Sequence, residues 1–556
     1  MGGRGLSPSV PGEERAIKGR DRAGAQTRPW VAVADGKVDT VDTMAPVPEE
    51  AEVRVPRFSG TALALLAILL LAAFVRFWEL NKLGFNSDEA VYAGQAAAIA
   101  EDPTLKDIFP VFRAHPLLFQ YVLAVLFKFG VSDFAARVVA VVVGLLTVFL
   151  VYRVGDMLYG RTAGLWAALF VAVMPYHVVV TRQVLLDGPM VLFSTAVLYS
   201  LARFGVSHRP GWLYASGAMM GLTFLAKETG IILIGAVYVF LALAPTIPLR
   251  IRDIFFSLVC MFMVIAPFPI SIALGGGTQT AKAFLVWQLF RRPNHDWPFY
   301  FVEVPPAMGV LLLVVAGAGL WFLRRSRSWR ETLLLAWIAV PLVFFQMWPV
   351  KGFQYLLPAA PAVALLAARA VTRLRAPEGL MRAGRFFRSD QWRVVAGGLI
   401  AISLAVPAWS AVVGSKSAGF LAGAGGLPGG REAGRWIDEN VPEGARFMTV
   451  GPSMANIVQF YGHRSALGLS VSPNPLHRNP SYTPIPNPDL ELRSGQIQYL
   501  VHDAFSAQRS PFFSRALLRY MRRYDGRVVH VESVPVASPG GETVLKPVIT
   551  IYEVRP

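Results

Sequence analysis

Long apolar runs separated by short polar connections fill the chain from residue 59 to residue 413. A helix needs roughly 20 mostly apolar residues to cross a bilayer. On that measure the pattern predicts eleven spans, near 59–78, 136–152, 162–181, 188–204, 211–226, 229–246, 254–274, 303–323, 332–348, 354–372 and 394–413. One more apolar run, 116–130, opens on Pro116 and contains Lys128. It is too short to cross comfortably and suits a helix lying along the membrane surface.

Beyond residue 414 the pattern changes. A Gly-rich linker, Gly419 to Gly430, leads to an amphipathic helix pattern over 432–440 and a strand-like run over 446–450. Further strands are predicted at 497–502, 527–534 and 546–554, with a helix near 511–523. The Pro- and Asn-rich stretch 472–490 reads as an extended loop. The predicted fold is therefore mainly α: a polytopic membrane helical bundle over 58–414, then a linker and a small external α/β domain over 415–556. Residues 1–57, rich in Gly, Pro, Ala and mixed charges, read as a disordered cytoplasmic tail, and the first span reads as an uncleaved anchor.

Composition agrees with a membrane protein: 54% of the 556 residues are hydrophobic and 16% are charged, with a mean hydropathy of +0.46. The net charge of +17 is not a nucleic-acid footprint, because the basic residues stand in short clusters between apolar runs. Charge also orients the spans. With 116–130 at the surface, the loops and loop edges at 153–161, 203–209, 250–253, 324–331 and 369–393 share one side and carry 17 Arg or Lys against 5 Asp or Glu. The opposite segments at 81–134, 182–187, 227–228, 276–303 and 349–353 carry 10 against 10. The positive-inside rule makes the first set cytoplasmic. The single cysteine, Cys260, lies in an apolar run, so no disulfide forms within the chain.

The same parity puts Asp88, Asp187, Lys227 and Lys351 on one external face. Ionisable groups at a membrane face are costly and point to function. In Ser87-Asp88-Glu89, acids in a first helical turn also serve as caps. As catalytic groups, Asp88 is the expected general base, with Glu89 beside it. Arg182 is a candidate phosphate clamp, and Asp187 is a candidate for orienting a sugar hydroxyl. Lys227 and Lys351 are placed to neutralise a phosphate, with Tyr355 as a donor to it. His115 caps the surface helix or joins a ligand site. A divalent cation held through Asp88, His115 or Asp187 is compatible with these residues, and the sequence does not decide for or against it.

With these residues in place, the chain resembles the bacterial GT-C membrane glycosyltransferases, in particular the protein O-mannosyltransferase and aminoarabinose-transferase group. The resemblance covers roughly 59–372. It is carried by Ser87 to Ala93, by His115-Pro116, by Gly160 to Gly164 leading to Arg182 and Asp187, by Gly221 to Lys227, and by Lys351 to Pro358. It implies Asp88 as the catalytic first-loop acid, Asp187 as its second-loop counterpart, and a polyprenyl-phosphate sugar as donor. The chain departs from the group's pattern at Leu117, where a second proline is common, and at Gln354, where an arginine is common. No phosphate contact is assigned to position 354.

The expected function is transfer of a sugar from a polyprenyl-phosphate donor in the membrane to a glycan, protein or lipid acceptor at the external face, with no nucleic-acid partner. The rival is a polyprenyl-phosphate lipid transporter or flippase. Such proteins commonly carry matched repeats and broken helices near the bilayer middle. Here no repeat is evident and the polar residues gather at one face.

Overall fold

The computed structural model describes residues 59–109, 111, 114–324, 328–374, 389–413, 427–537 and 543–556. The N-terminal tail and most of the Gly-rich linker lie outside them. Among the described residues, seven helices are long and apolar enough to cross a membrane, or up to nine if each of two bent pairs counts as one span. Helix α1 (Gly60–Phe77) is followed by α2 (Ser87–Ile99), α3 (Leu118–Phe127) and α4 (Asp133–Tyr159). Every predicted span position carries helix, but several are not simple spans. The run predicted at 162–181 is Arg161–Val173 and Pro175–Thr181, bent by 60°. The run at 303–323 is Phe299–Met308 and Val310–Leu323, the second pair bent by 96°. Pro175, which opens a new helix, explains the first break. The helices Pro210–Ala226 and Leu233–Leu243 are shorter than a full crossing.

The surface run folds as α3, only 10 residues long. It buries Phe119, Leu123 and Phe127 against the protein and exposes Tyr121, Val122 and Val125. A short helix with one apolar face on the protein and the other left open suits the membrane boundary.

Small residues let spans approach closely, as membrane helices require. A Cβ at Gly217 would lie 2.0 Å from the Ser257 carbonyl oxygen on the neighbouring helix Ile251–Ile265. The backbone there cannot yield without separating the helices. Gly217→Ala is expected to destabilise the folded protein by about 1–3 kcal/mol; thermal denaturation in detergent reads this, and an unchanged midpoint would contradict the close crossing.

The tail forms a five-stranded sheet in the order β2-β1-β3-β5-β4. The strands are β1 (Arg446–Thr449), β2 (Ser465–Gly468), β3 (Tyr499–Asp503), β4 (Arg527–Ala537) and β5 (Thr543–Glu553). β1 runs parallel to β2 and β3, while β5 is antiparallel to both β3 and β4. The helix Pro452–Gly462 joins β1 to β2 as the crossover that a parallel pair needs. It was not predicted, nor was β2. That strand is Ser-Ala-Leu-Gly, with neither β-branched residues nor a long alternation to signal it.

The tail does not stand apart from the membrane portion. One buried cluster contains Phe85, Ala90 and Ala93 from α2 and its approach, Phe119 and Leu123 from α3, and Ile457 and Phe460 from the tail. The Phe85 and Phe460 rings lie 5.1 Å apart. Polar contacts follow the same path. The Phe85 N–H donates to the Tyr461 hydroxyl at 2.7 Å, and that hydroxyl donates to Asp133 Oδ2 at 2.9 Å. Arg431 pairs with Asp133 at 2.6 Å and donates to the carbonyls of Asn81 and Leu83. Gly84 is needed here, because a Cβ would lie 2.7 Å from Arg431 Cβ.

Candidate functional site

The N-terminus of α2 is built by its own first turn. Asn86 caps it: the Asn86 side chain accepts from the Glu89 N–H and the Glu89 carboxylate accepts from the Asn86 N–H, both at 3.0 Å. Glu89 is fully buried and engaged on both oxygens by Arg137 of α4 at 2.8 Å, in the two-pronged geometry that suits guanidinium and carboxylate. Arg137 also donates to the carbonyls of Leu80, Leu83 and Gly84. The Val184 N–H donates to Glu89 Oε1 at 3.0 Å, and Asn86 Nδ2 donates to Gln183 Oε1 at 2.8 Å. The first loop is thus tied to the second through Glu89 and Asn86. Glu89 faces the protein interior rather than open space, and its geometry is that of an anchor.

Asp88 is different. It is half-buried and has no hydrogen bond or ion pair among the described residues. Burial raises its pKa, as do the neighbouring Asp187 and Glu89 charges, while Lys227 and Arg509 hold it down. A carboxylate kept in such a setting, unpartnered and with a raised pKa, is the pattern of a general base. Tyr92, four residues on and one helical turn away, sits in the fields of Asp88, Asp187, Glu228 and Tyr482, and its phenol pKa is pushed far up, chiefly by burial.

Lys227 and Asp187 meet beside them. Lys227 Nζ lies 2.8 Å from both carboxylate oxygens of Asp187, and both residues are buried. The same ammonium stands 5.0 Å from the centre of the Tyr355 ring. Lys351, on the loop leading to Tyr355, is buried and donates to the carbonyls of Gln346 and Trp348 at 2.9 and 3.3 Å. Asn294 brackets its backbone on both sides at 2.8 Å. No carboxylate pairs with Lys351 among the described residues, so its positive charge is uncompensated by a near neighbour.

Arg182 does not join this group. It is fully buried and donates to the carbonyls of Val75, Arg76 and Trp78, where it satisfies the end of α1. The phosphate clamp expected of it is corrected to a cap on the first span. His115 has Nδ1 3.0 Å from the Pro116 carbonyl, in a stretch whose neighbours 110, 112 and 113 lie outside the described residues. Among the described residues no three His, Cys, Asp or Glu side chains group to hold a metal ion. Asp187 already has both oxygens on Lys227. This donor set does not fit the cation that the sequence admits.

Breaking the Lys227–Asp187 pair from one side leaves a buried charge alone. Lys227→Met is expected to cost stability, read by thermal shift; an unchanged midpoint would contradict the buried pair.

Three comparisons bear on this arrangement. A family model described as dolichyl-phosphate-mannose-protein mannosyltransferase matches residues 114–272. An undecaprenyl phosphate-alpha-4-amino-4-deoxy-L-arabinose arabinosyl transferase of Aeromonas hydrophila is 29% identical over 320 residues, 53% of this chain and 56% of that protein. The namesake of Aeromonas salmonicida is 35% identical over 182 residues, 30% of this chain and 32% of that one. The chain therefore matches about half the length of these curated relatives, or less. Among solved structures, ArnT from Cupriavidus metallidurans superposes with a TM-score of 0.64 over 89% of this chain and 98% of that one, at 16% identity.

The chain has the GT-C fold. The same Cupriavidus protein has been solved bound to undecaprenyl phosphate, and an Archaeoglobus fulgidus oligosaccharyltransferase superposes at TM-score 0.54 over 87% of this chain and 74% of that one, with 13% identity. The fold that the resemblance implied is borne out. Within this GT-C chain, Asp187, Lys227 and Tyr355 lie together, with Asp88 in the field of the first two, whereas the Lys351 ammonium is held on the carbonyls of Gln346 and Trp348. Tyr92 was within reach of sequence reasoning, because it lies one turn from Asp88. Tyr482 and Arg509 of the tail, whose fields reach Tyr92 and Asp88, carried no motif to mark them.

Proposed function

We propose that this GT-C protein is a glycosyltransferase that moves a sugar from a polyprenyl-phosphate donor to an acceptor at the external face of the membrane. The observation that carries the reading is Asp88: an unpartnered, half-buried carboxylate beside a buried Lys227–Asp187 pair, on a fold whose relatives carry names of sugar transferases using lipid phosphates. Asp88 takes the acceptor's proton as the acceptor attacks the anomeric carbon. Lys227 offers cationic charge to the phosphate as it leaves, while the ring of Tyr355 flanks the ammonium. Asp187 holds Lys227 in place, and Glu89 anchors the loop that bears Asp88. The membrane portion holds the catalytic groups, and the described tail, which packs against the segment bearing Asp88, lies on the external side.

The test is transfer of label from undecaprenyl-phosphate mannose and undecaprenyl-phosphate 4-amino-4-deoxy-L-arabinose in membranes containing the full chain. No loss of sugar from either lipid would overturn the reading. Orientation is tested separately. With Cys260 replaced, Ser481→Cys at the exposed tail loop is expected to react with a membrane-impermeant maleimide in intact cells; reaction only after lysis would place the tail inside.

A further inference from the structure

The tail carries a strongly basic face that the proposed transfer does not use. Residues 509–527 hold six arginines against one acid, Asp525. Four of the six stand on the helix Pro511–Arg523, which has no acid of its own. One side of that helix is spent on the tail's core. Leu517 packs in a buried cluster with Met448 of β1 and Leu500 of β3, and Ala516 beside it is also buried.

The opposite side is open. Arg515, Arg519 and Arg523 follow one another at four-residue spacing, so they form one ridge with a cation about every 6 Å. Arg522 flanks the ridge, and all four arginines are exposed. Arg523 pairs with Asp489 at 2.9 Å, whereas Arg515, Arg519 and Arg522 form no ion pair or hydrogen bond among the described residues. The ridge then runs into a cleft of about 450 Å³ lined by Arg523, Tyr524, Asp525, Arg527, Arg555 and Pro556. Arg527 opens β4 and Arg555 follows β5, so the positive charge continues from the helix onto the edge of the sheet.

Like charges one turn apart on a helix repel, and an ordinary solvated surface mixes both signs. A row of one sign, largely unpaired and continued into a cleft, is complementary to a chain of negative charges. We infer that this face binds a linear polyanion, an acidic polysaccharide of the cell envelope, laid along the helix and into the cleft. Each guanidinium can grip an acid group with two parallel N–H bonds, and acid groups repeated along the polymer meet successive arginines. The bilayer is not the partner, because a helix lying in a membrane surface inserts its apolar face, and here that face is buried in the tail. The choice of an envelope polymer rests on the external orientation proposed above; the basic ridge does not.

The probe is polygalacturonate, which bears one carboxylate per sugar, added to the full chain in nanodiscs of zwitterionic lipid. Wild type is expected to bind it at low salt and to release it as salt rises. The exposed pair of changes Arg515→Gln, Arg519→Gln should leave the thermal midpoint unchanged and weaken binding about tenfold. The pair Arg250→Gln, Arg252→Gln removes the same charge from the loop at 250–253, which the charge pattern places on the other side, and should leave affinity unaltered. Equal weakening by both pairs would reduce the effect to net charge and overturn the inference. Unchanged binding by the tail variant would overturn it as well. Binding to inorganic polyphosphate but not to polygalacturonate would overturn the polysaccharide, and binding only to vesicles containing phosphatidylglycerol would reassign the face to the bilayer. None of these results touches sugar transfer, so the proposed function stands or falls separately. Labelling of Ser481→Cys only after lysis would remove the envelope as the source of the polymer.

Discussion

Asp88→Asn is expected to reduce sugar transfer by about 10²–10⁴-fold, the usual contribution of a placed general base, while lipid binding and thermal stability hold. Asparagine keeps the shape but cannot take the proton. Stability should hold or rise, because the change removes an acid that burial already disfavours and that no neighbour engages. The pH profile gives a second reading. Asp88 must be ionised to act, and its pKa is raised, so kcat/KM is expected to fall as pH drops through a value above the ordinary carboxylate range of about 4. Lys227 favours the ionised form; Lys227→Met should therefore move that limb further toward neutrality. Full transfer by Asp88→Asn would remove Asp88 as the base, and a limb at the ordinary value would remove the buried setting.

Glu89→Ala is expected to behave in the opposite manner: a large loss of stability, with activity lost because the loop is lost. The substitution strands the fully buried Arg137 guanidinium. Removing one partner of a buried ion pair typically costs about 3–5 kcal/mol. It also removes the acceptor for the Val184 N–H that ties the two loops. Thermal denaturation in detergent, run beside Asp88→Asn, separates the two roles. A Glu89→Ala protein of wild-type stability but no activity would return Glu89 to the catalytic group. Partial recovery of stability in a Glu89→Leu, Arg137→Met double variant would attribute the loss to the orphaned charge.

These two neighbours show what the sequence can and cannot convey. Adjacent acids at a helix start are visible in the chain, and the capping box of Asn86 and Glu89 follows from spacing alone. The partner that separates their roles is not visible. Arg137 lies 48 residues away in the first turns of a long apolar helix. Arg182 shows the reverse case. Its place between spans suggested an open phosphate site, but its guanidinium folds back onto carbonyls at the end of α1, and no local pattern encodes that turn. Apolar run length conveyed where the helices lie. It did not convey the 60° and 96° bends, which depend on Pro175 and on packing around Gly309. In the tail, β4 and β5 were legible through β-branched residues, whereas β2, only four residues long, is held by parallel partners distant in sequence.

The clamp on residues 81–85 also sets an order in time. Its bonds from Arg431 and Tyr461 reach back 350 and 376 residues. At about 5–20 residues per second, that separation is some tens of seconds of synthesis. The segment bearing Asp88 is therefore made well before the groups that fasten it. Through that interval a growing chain holds Asp88 without the bonds from Arg431 and Tyr461, which form only once residue 461 has emerged.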